Sequence, residues 1–196
     1  YLLVLFAITF VDSTVHTCYF IFTNDFLKSV GIPANWVMPV MSLGQIAEIG
    51  TMALLGVVLK RLGWRTTMVI GILGHAVRFA VFALVPVPVL DVLVILLHGI
   101  CYAFFFATVY IFVDEFFPKD ARTSAQGLFN FLILGLGPFV GNFIWPMLGQ
   151  YYKAGDEYQF RSIFLWPSAI ALAAAVVLAL CFHPPRQAAP ETVAGH

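Results

Sequence analysis

Apolar residues fall into six long blocks along the chain, and glycine, proline or charged residues close each block. We number them one to six in chain order; they cover residues 1–27, 36–59, 67–85, 92–113, 125–148 and 160–182. An α-helix needs about 20 apolar residues to cross the hydrocarbon layer of a bilayer. The pattern therefore predicts an all-α, polytopic membrane protein with six transmembrane helices in a lipid bilayer.

Composition agrees with this prediction and argues against other classes of protein. Apolar residue types make up 61% of the 196 residues, and charged types only 10%. The formal net charge is zero and no lysine or arginine cluster is typical of a phosphate-binding surface, so we expect no nucleic-acid partner. Cys18, Cys101 and Cys181 lack metal-ligand spacing and are interpreted as small packing residues. Motifs of nucleophilic or phosphate-binding enzymes are missing too, so we expect neither an enzyme nor a cofactor.

The two ends of the chain suggest how it is organised. Tyr1 already lies inside an apolar block, so we expect that another segment precedes it. Residues 1–183 are predicted to form one membrane domain. Residues 184–196 are rich in proline and alanine and are predicted to form a disordered cytoplasmic tail.

Lysine and arginine near the block ends predict the orientation, because cytoplasmic connections carry the excess of these residues. With Tyr1 on the cytoplasmic side, the inner connections contain Lys60, Arg61, Arg65, Lys119, Arg122 and Arg186. The outer connections then contain Lys28, Lys153 and Arg161. Six against three favours cytoplasmic ends in a plasma or inner membrane.

The strongest site signal lies in block two, where Gln45 and Glu48 share one helix face at i and i+3. A carboxyl group at membrane depth gains by being protonated or paired, and proton coupling requires a carboxyl group that exchanges a proton. The Gln45 amide both donates and accepts hydrogen bonds, which suits a neutral polar ligand. The alternative is a structural ion pair between Glu48 and Arg78.

Block one has a polar helix face that begins with Asp12 and His16 at i and i+4. Both are candidates for proton coupling. Alternatively they form a hydrogen-bonded pair or part of a cavity wall. A metal site would need at least a third ligand at a diagnostic spacing, and the sequence offers none, so we expect no metal.

Block five carries several small residues and a proline, namely Gly135, Gly137, Pro138 and Gly141. Small residues let neighbouring membrane helices approach closely, and a proline bends a helix. The segment is therefore interpreted either as a tight packing face or as a hinge for gating.

Several segments resemble known transporters. Residues 56–65 (GVVLKRLGWR) are similar to the cytoplasmic loop signature GxxxDRxGRR of the major facilitator superfamily, with Lys60 in the acidic position. Within that superfamily the chain resembles the nucleoside:H+ symporters through TNDFL (23–27), SLGQIAE (42–48), RFAVFA (78–83) and RTSAQG (122–127). The resemblance implies the C-terminal half, helices seven to twelve, of a twelve-helix transporter. Its partner would be the N-terminal six-helix half of the same chain.

The resemblance also implies site residues. Gln45 and Glu48 match the glutamine and glutamate with which the family contacts a nucleoside. Tyr102 matches an aromatic residue near the ligand, and Ala103 follows it where the family has an aspartate.

At the positions of two further contacts, this sequence departs from the family's pattern. They fall at Thr17 and Phe20, where the family has glutamine and asparagine, so His16 or Asn24 are the possible substitutes. The expected function is proton-coupled transport of a nucleoside-like solute by alternating access. Transport of another small polar solute by the same fold, or an intramembrane enzyme, are the alternatives.

Overall fold

Five long helices make up most of the structure, a computed structural model that describes residues 2–184. They are α1 (Leu2–Ser29), α2 (Ala34–Leu84), α3 (Pro88–Phe116), α4 (Lys119–Tyr151) and α5 (Phe160–Cys181). Each is long and apolar enough to cross a membrane. Blocks two and three both lie in α2, so the helices recover all six predicted blocks. Apart from Pro184, the predicted tail lies outside the described residues.

The 51-residue helix α2 is folded into two arms at Gly63, whose φ of 74° is a left-handed conformation that glycine adopts without strain. We call residues 34–62 the first arm and residues 64–84 the second arm. Both arms pack on the same part of α3, because Gly44 approaches His98 while Gly74 approaches Cys101. They therefore form two adjacent spans. The segment 56–65, expected to be a connecting loop, is helical except at Gly63.

Helices α3 and α4 each contain one π-helical turn, at Tyr102–Ala107 and Phe131–Leu136. Such turns are rare and often occur at functional sites. In α4 the turn ends just before Pro138, which has no N–H to donate to the preceding turn of the helix. A π-helical turn leaves no clear pattern of apolar residues, so the sequence did not predict these two turns.

Tight packing of α1 on α4 confirms the first interpretation of the block-five glycines. A side chain at Gly137 would collide with Ser13, and one at Gly141 would lie 2.8 Å from Thr17. The Ser13 hydroxyl donates a 2.7 Å hydrogen bond to the carbonyl of Ile133, which is in the π-helical turn. The two helices are thus joined by direct contact and by a buried hydrogen bond.

Two details differ from the sequence-based expectations. The connection between α4 and α5 contains a short antiparallel pair of strands, β1 (Lys153–Ala154) and β2 (Glu157–Tyr158), in an otherwise helical chain. Cys18 and Cys101 are buried as expected, but Cys181 is exposed. It is the last residue of α5.

Candidate functional site

A cavity of about 430 Å³ lies between α1, α3 and α4. Four of the predicted site residues line it, namely His16, Thr17, Phe20 and Tyr102. The two π-helical turns both border it, the first through Tyr102 and Phe106. The cavity therefore gathers residues from three separate parts of the sequence, 16–21, 102–106 and 133–142.

Aromatic rings and a few polar groups form the lining. The rings of Phe20, Tyr102 and Phe106 supply flat apolar surface, and Thr17 and Asn142 supply polar atoms. The Asn142 amide donates to the Pro138 carbonyl at 2.8 Å, which leaves its own carbonyl oxygen available as an acceptor. A mostly apolar cavity with a few placed polar groups is typical of a site for a small organic molecule.

Sequence reasoning missed Asn142 and left Phe106 undecided among three consecutive phenylalanines. Asn142 is the sole amide side chain between residues 131 and 148, and this was the signal available. Of the three phenylalanines, Phe106 lines the cavity while Phe104 packs on Leu55. This agrees with the helical rotation of about 100° per residue.

Gln45 and Glu48 do not line this cavity but border a separate, open groove together with Ile49 and Met52. Gln45 is exposed and Glu48 is half-buried within this chain, and their role in binding stays a prediction. The groove is nevertheless a neighbour of the cavity. Gly99 packs directly on the backbone of Glu48, and Tyr102 lies one turn further along α3, where it interacts electrostatically with Glu48.

The other positions singled out by the resemblance lie away from the cavity. Ala103 is buried in an apolar cluster with Leu55, since it is rotated away from Tyr102. An acidic side chain at this position would therefore not face the cavity. The Asn24 amide contacts the sulfur of Met38 at 4.0 Å. Of the two suggested substitutes, only His16 lines the cavity.

A buried polar cluster lies behind His16, which we call the Arg78 cluster: Asp12, His75, Arg78 and His98. Each of these side chains is at most 2% exposed. The Arg78 guanidinium bonds the Nδ1 atoms of both histidines, at 2.9 Å for His75 and 3.2 Å for His98. The His75 Nε2 lies 3.6 Å from an Asp12 carboxyl oxygen. Among the described residues no ion pair joins Arg78 to Glu48, so that alternative is wrong.

The hydrogen-bonding capacity of arginine determines the protonation of both histidines. A guanidinium only donates, so the Nδ1 atoms of His75 and His98 must accept. Each imidazole is therefore neutral and carries its proton on Nε2. For His75 this proton lies on the side of Asp12. The Tyr19 ring covers the guanidinium at 4.2 Å, a cation–π contact that further stabilises the buried charge.

His16 forms the wall between the cavity and the Arg78 cluster. Its ring centroid lies 5.2 Å from that of His75 and 5.0 Å from that of His98. On the other side it lies 6.5 Å from the Tyr102 ring. The Asp12 carboxyl group lies 3.6 Å from the His75 ring, and among the described residues no hydrogen bond joins it to His16.

Comparison with known proteins agrees with this geometry. The family model described as nucleoside H+ symporter matches residues 1–187. The chain belongs to the nucleoside H+ symporter family. It is 31% identical over 192 residues to the putative nucleoside transporter YegT of Escherichia coli, covering 92% of this chain and 44% of YegT. It is 27% identical to the xanthosine permease of the same organism, over 80% of this chain and 39% of the permease.

A solved structure shows the fold of this family. The D323A mutant of the nucleoside transporter NupG matches with a TM-score of 0.78 and 26% identity, over 91% of this chain and 48% of NupG. The chain thus spans less than half the length of these relatives. It is a multi-pass membrane protein with the fold of one half of a major facilitator transporter, as the sequence predicted. That it is the C-terminal half stays a prediction.

Proposed function

We propose that the protein containing this chain moves nucleosides together with protons across the cell membrane. The chain would supply one six-helix half, residues 1–183, and an N-terminal half would supply the other. Transporters of this architecture bind solute near the midplane between the halves and expose it alternately by rocking. The solute would cross unchanged, so that a chemically altered product in transport assays would instead indicate an enzyme.

The observation that supports this proposal is the aromatic cavity, taken together with membership of the family. A nucleobase is flat and has polar edges. Tyr102 and Phe106 offer faces on which such a ring stacks, and Asn142 and Thr17 offer groups for its edge. Stacking of bases on aromatic side chains does not depend on a particular base.

The adjoining groove completes the proposed site. Gln45 and Glu48 border it, and both carry groups that bind hydroxyls. Tyr102 lies one turn along α3 from Gly99, which packs on the Glu48 backbone. We assign Gln45 and Glu48 to the sugar. Glu48, Asp12 and His16 are the candidates for proton coupling in this site.

Substitution of Tyr102 in the full-length protein tests the proposal. Tyr102→Phe keeps the ring and should retain most nucleoside binding. Tyr102→Ala should lose about 1–3 kcal/mol, or roughly 5- to 150-fold in affinity, the range of base–aromatic stacking. Calorimetric titration of the purified protein measures this loss.

Tyr151→Ala is the matched control, because Tyr151 is 80% exposed and lies at the end of α4, away from the cavity. Its affinity should equal that of the unmodified protein. Equal affinity of a folded Tyr102→Ala variant would remove Tyr102 from the site. Absence of nucleoside binding by the unmodified protein would refute the proposed function itself.

A further inference from the structure

We propose that Asp12 is the group that carries the coupled proton and that the Arg78 cluster positions it. This inference rests on the proposed function and selects Asp12 from the three candidates. The single juxtaposition behind it is a buried carboxyl group beside an arginine whose hydrogen bonds are directed to two histidines.

Asp12 is fully buried, and neither of its carboxyl oxygens has a hydrogen-bond partner among the residues that the structure describes. The protonated ring nitrogen of His75, Nε2, lies 3.6 Å from one of these oxygens. A carboxylate held by a direct bidentate bond to arginine would be fixed in its charged form. Here Arg78 donates to His75 and His98 instead, so Asp12 is attracted to the cluster without being locked by it.

Glu48 lacks these features. It is half-buried on the open groove, and no ion pair holds it among the described residues. A proton on the Glu48 carboxyl group would therefore exchange with the water or solute in the groove. A group that must keep its proton while the transporter changes conformation is better served by an enclosed position. Asp12 is fully buried and is not among the residues that line the cavity, whereas Glu48 borders the open groove.

The charged and titratable groups around Asp12 come from three helices. The second arm of α2 contributes His75 and Arg78, and α3 contributes His98 and Cys101. On α1 itself the neighbours are His16, Cys18 and Tyr19. The titratable residues of α4 and α5 all lie near the helix ends, away from the level of Asp12. Asp12 and Arg78 are thus the two formal charges of this buried region.

Protonation would change how α1 is held against α2. A proton from a hydronium ion in the cavity binds a carboxyl oxygen of Asp12, which forms an O–H bond and leaves a water molecule. The negative charge that faces the His75 N–H disappears, and Arg78 remains as an uncompensated buried charge, which is costly. The attraction between α1 and the second arm of α2 is thereby weakened. Release of the proton to water on the other side of the membrane restores it.

The position of His16 connects this event to the solute. Its ring lies against His75 and His98 on one side and near Tyr102 and Phe20 on the other. A solute that stacks on Tyr102 therefore lies near the same His16 ring that packs on His75, the neighbour of Asp12. The position of the His16 ring would thus depend both on the solute in the cavity and on the charge of the Arg78 cluster.

The test uses the full-length protein in vesicles with radiolabelled nucleoside. Two activities are measured, accumulation driven by a pH difference and exchange between preloaded vesicles without a pH difference. A difference of one pH unit sustains about a tenfold accumulation when one proton accompanies one solute. Asp12→Asn keeps the size of the side chain but cannot ionise. It should lower the accumulation ratio to about one while exchange continues.

Two variants serve as comparisons. Asp25→Asn, on the same helix, removes an exposed carboxyl group that pairs with Lys28, and both activities should be unchanged. Glu48→Gln should bind solute less well but keep the ratio of accumulation to exchange. Coupled accumulation by a folded Asp12→Asn variant, or uncoupling by Glu48→Gln alone, would overturn the inference.

Loss of folding is covered by a second variant. If Asp12→Asn fails to fold, Asp12→Asn with Arg78→Gln removes both charges together. Uncoupled exchange by the folded double variant supports the inference, and coupled accumulation overturns it. Failure of the double variant and of Asp12→Glu to fold would show a purely structural role and would also overturn it. Absence of exchange by the unmodified protein would instead refute the proposed function.

Discussion

Gly99 is a position where a single methyl group should disturb a helix crossing, because the nearest atoms belong to the backbone. It lies where α3 crosses the first arm of α2, and a Cβ atom there would be 2.5 Å from the Ala47 carbonyl carbon and 2.5 Å from the Glu48 nitrogen. These are backbone atoms, so no change of side-chain rotamer relieves the collision. The two helices would have to separate by about 0.9 Å to reach ordinary contact at 3.4 Å.

Gly99→Ala should therefore destabilise the protein by about 1–3 kcal/mol, the usual cost of an added methylene in a well-packed interior. Close helix approach at small residues is a main source of stability in membrane proteins, which reinforces this expectation. Thermal denaturation of the purified full-length protein in detergent should show the loss as a midpoint lower by about 2–4 °C for each kcal/mol. Because the displaced backbone belongs to Glu48, nucleoside affinity should fall as well.

Gly50→Ala is the matched control on the first arm of α2. Among the described residues, no atom beyond the adjacent backbone of its own helix lies within 4 Å of a Cβ built at Gly50. Replacing a helical glycine by alanine stabilises a helix by up to about 1 kcal/mol. Its melting midpoint should equal or exceed that of the unmodified protein. A Gly99→Ala variant as stable as Gly50→Ala would refute the reasoning that the helix crossing depends on backbone contact.

Two further predictions concern orientation and interhelical bonding. With Cys181 replaced by serine, a cysteine at exposed Asp120 should resist an impermeant external thiol reagent, while one at exposed Ala154 should react; the reverse pattern would invert the proposed topology. Ser13→Ala removes the buried hydrogen bond to Ile133 and should cost about 0.6 kcal/mol, the average for such bonds in membranes, measured as a small fall in melting midpoint. No fall at all would show that the bond is energetically neutral.

Some of these features follow from the sequence alone because the bilayer imposes a local rule. A span needs about 20 apolar residues whatever surrounds it, so the six blocks could be located one by one, even where α2 carries two of them. The glycines of block five could likewise be interpreted as a packing face. Local motifs were sufficient to identify the family, which the comparisons confirm. The resemblance also named Tyr102, which lines the cavity, and its part in binding stays a prediction.

The partners of the polar residues depended on the tertiary structure. By sequence alone, Arg78 has two plausible partners: Glu48 in the preceding span, and His98 twenty residues further along the chain. Only the rotation of each helix about its axis decides between them, and packing against several neighbours sets that rotation. It directs Arg78 to the two histidines, brings Asp12 within 3.6 Å of His75, and leaves Glu48 on an open groove. A pattern along one helix shows which residues share a face, but not which helix that face meets.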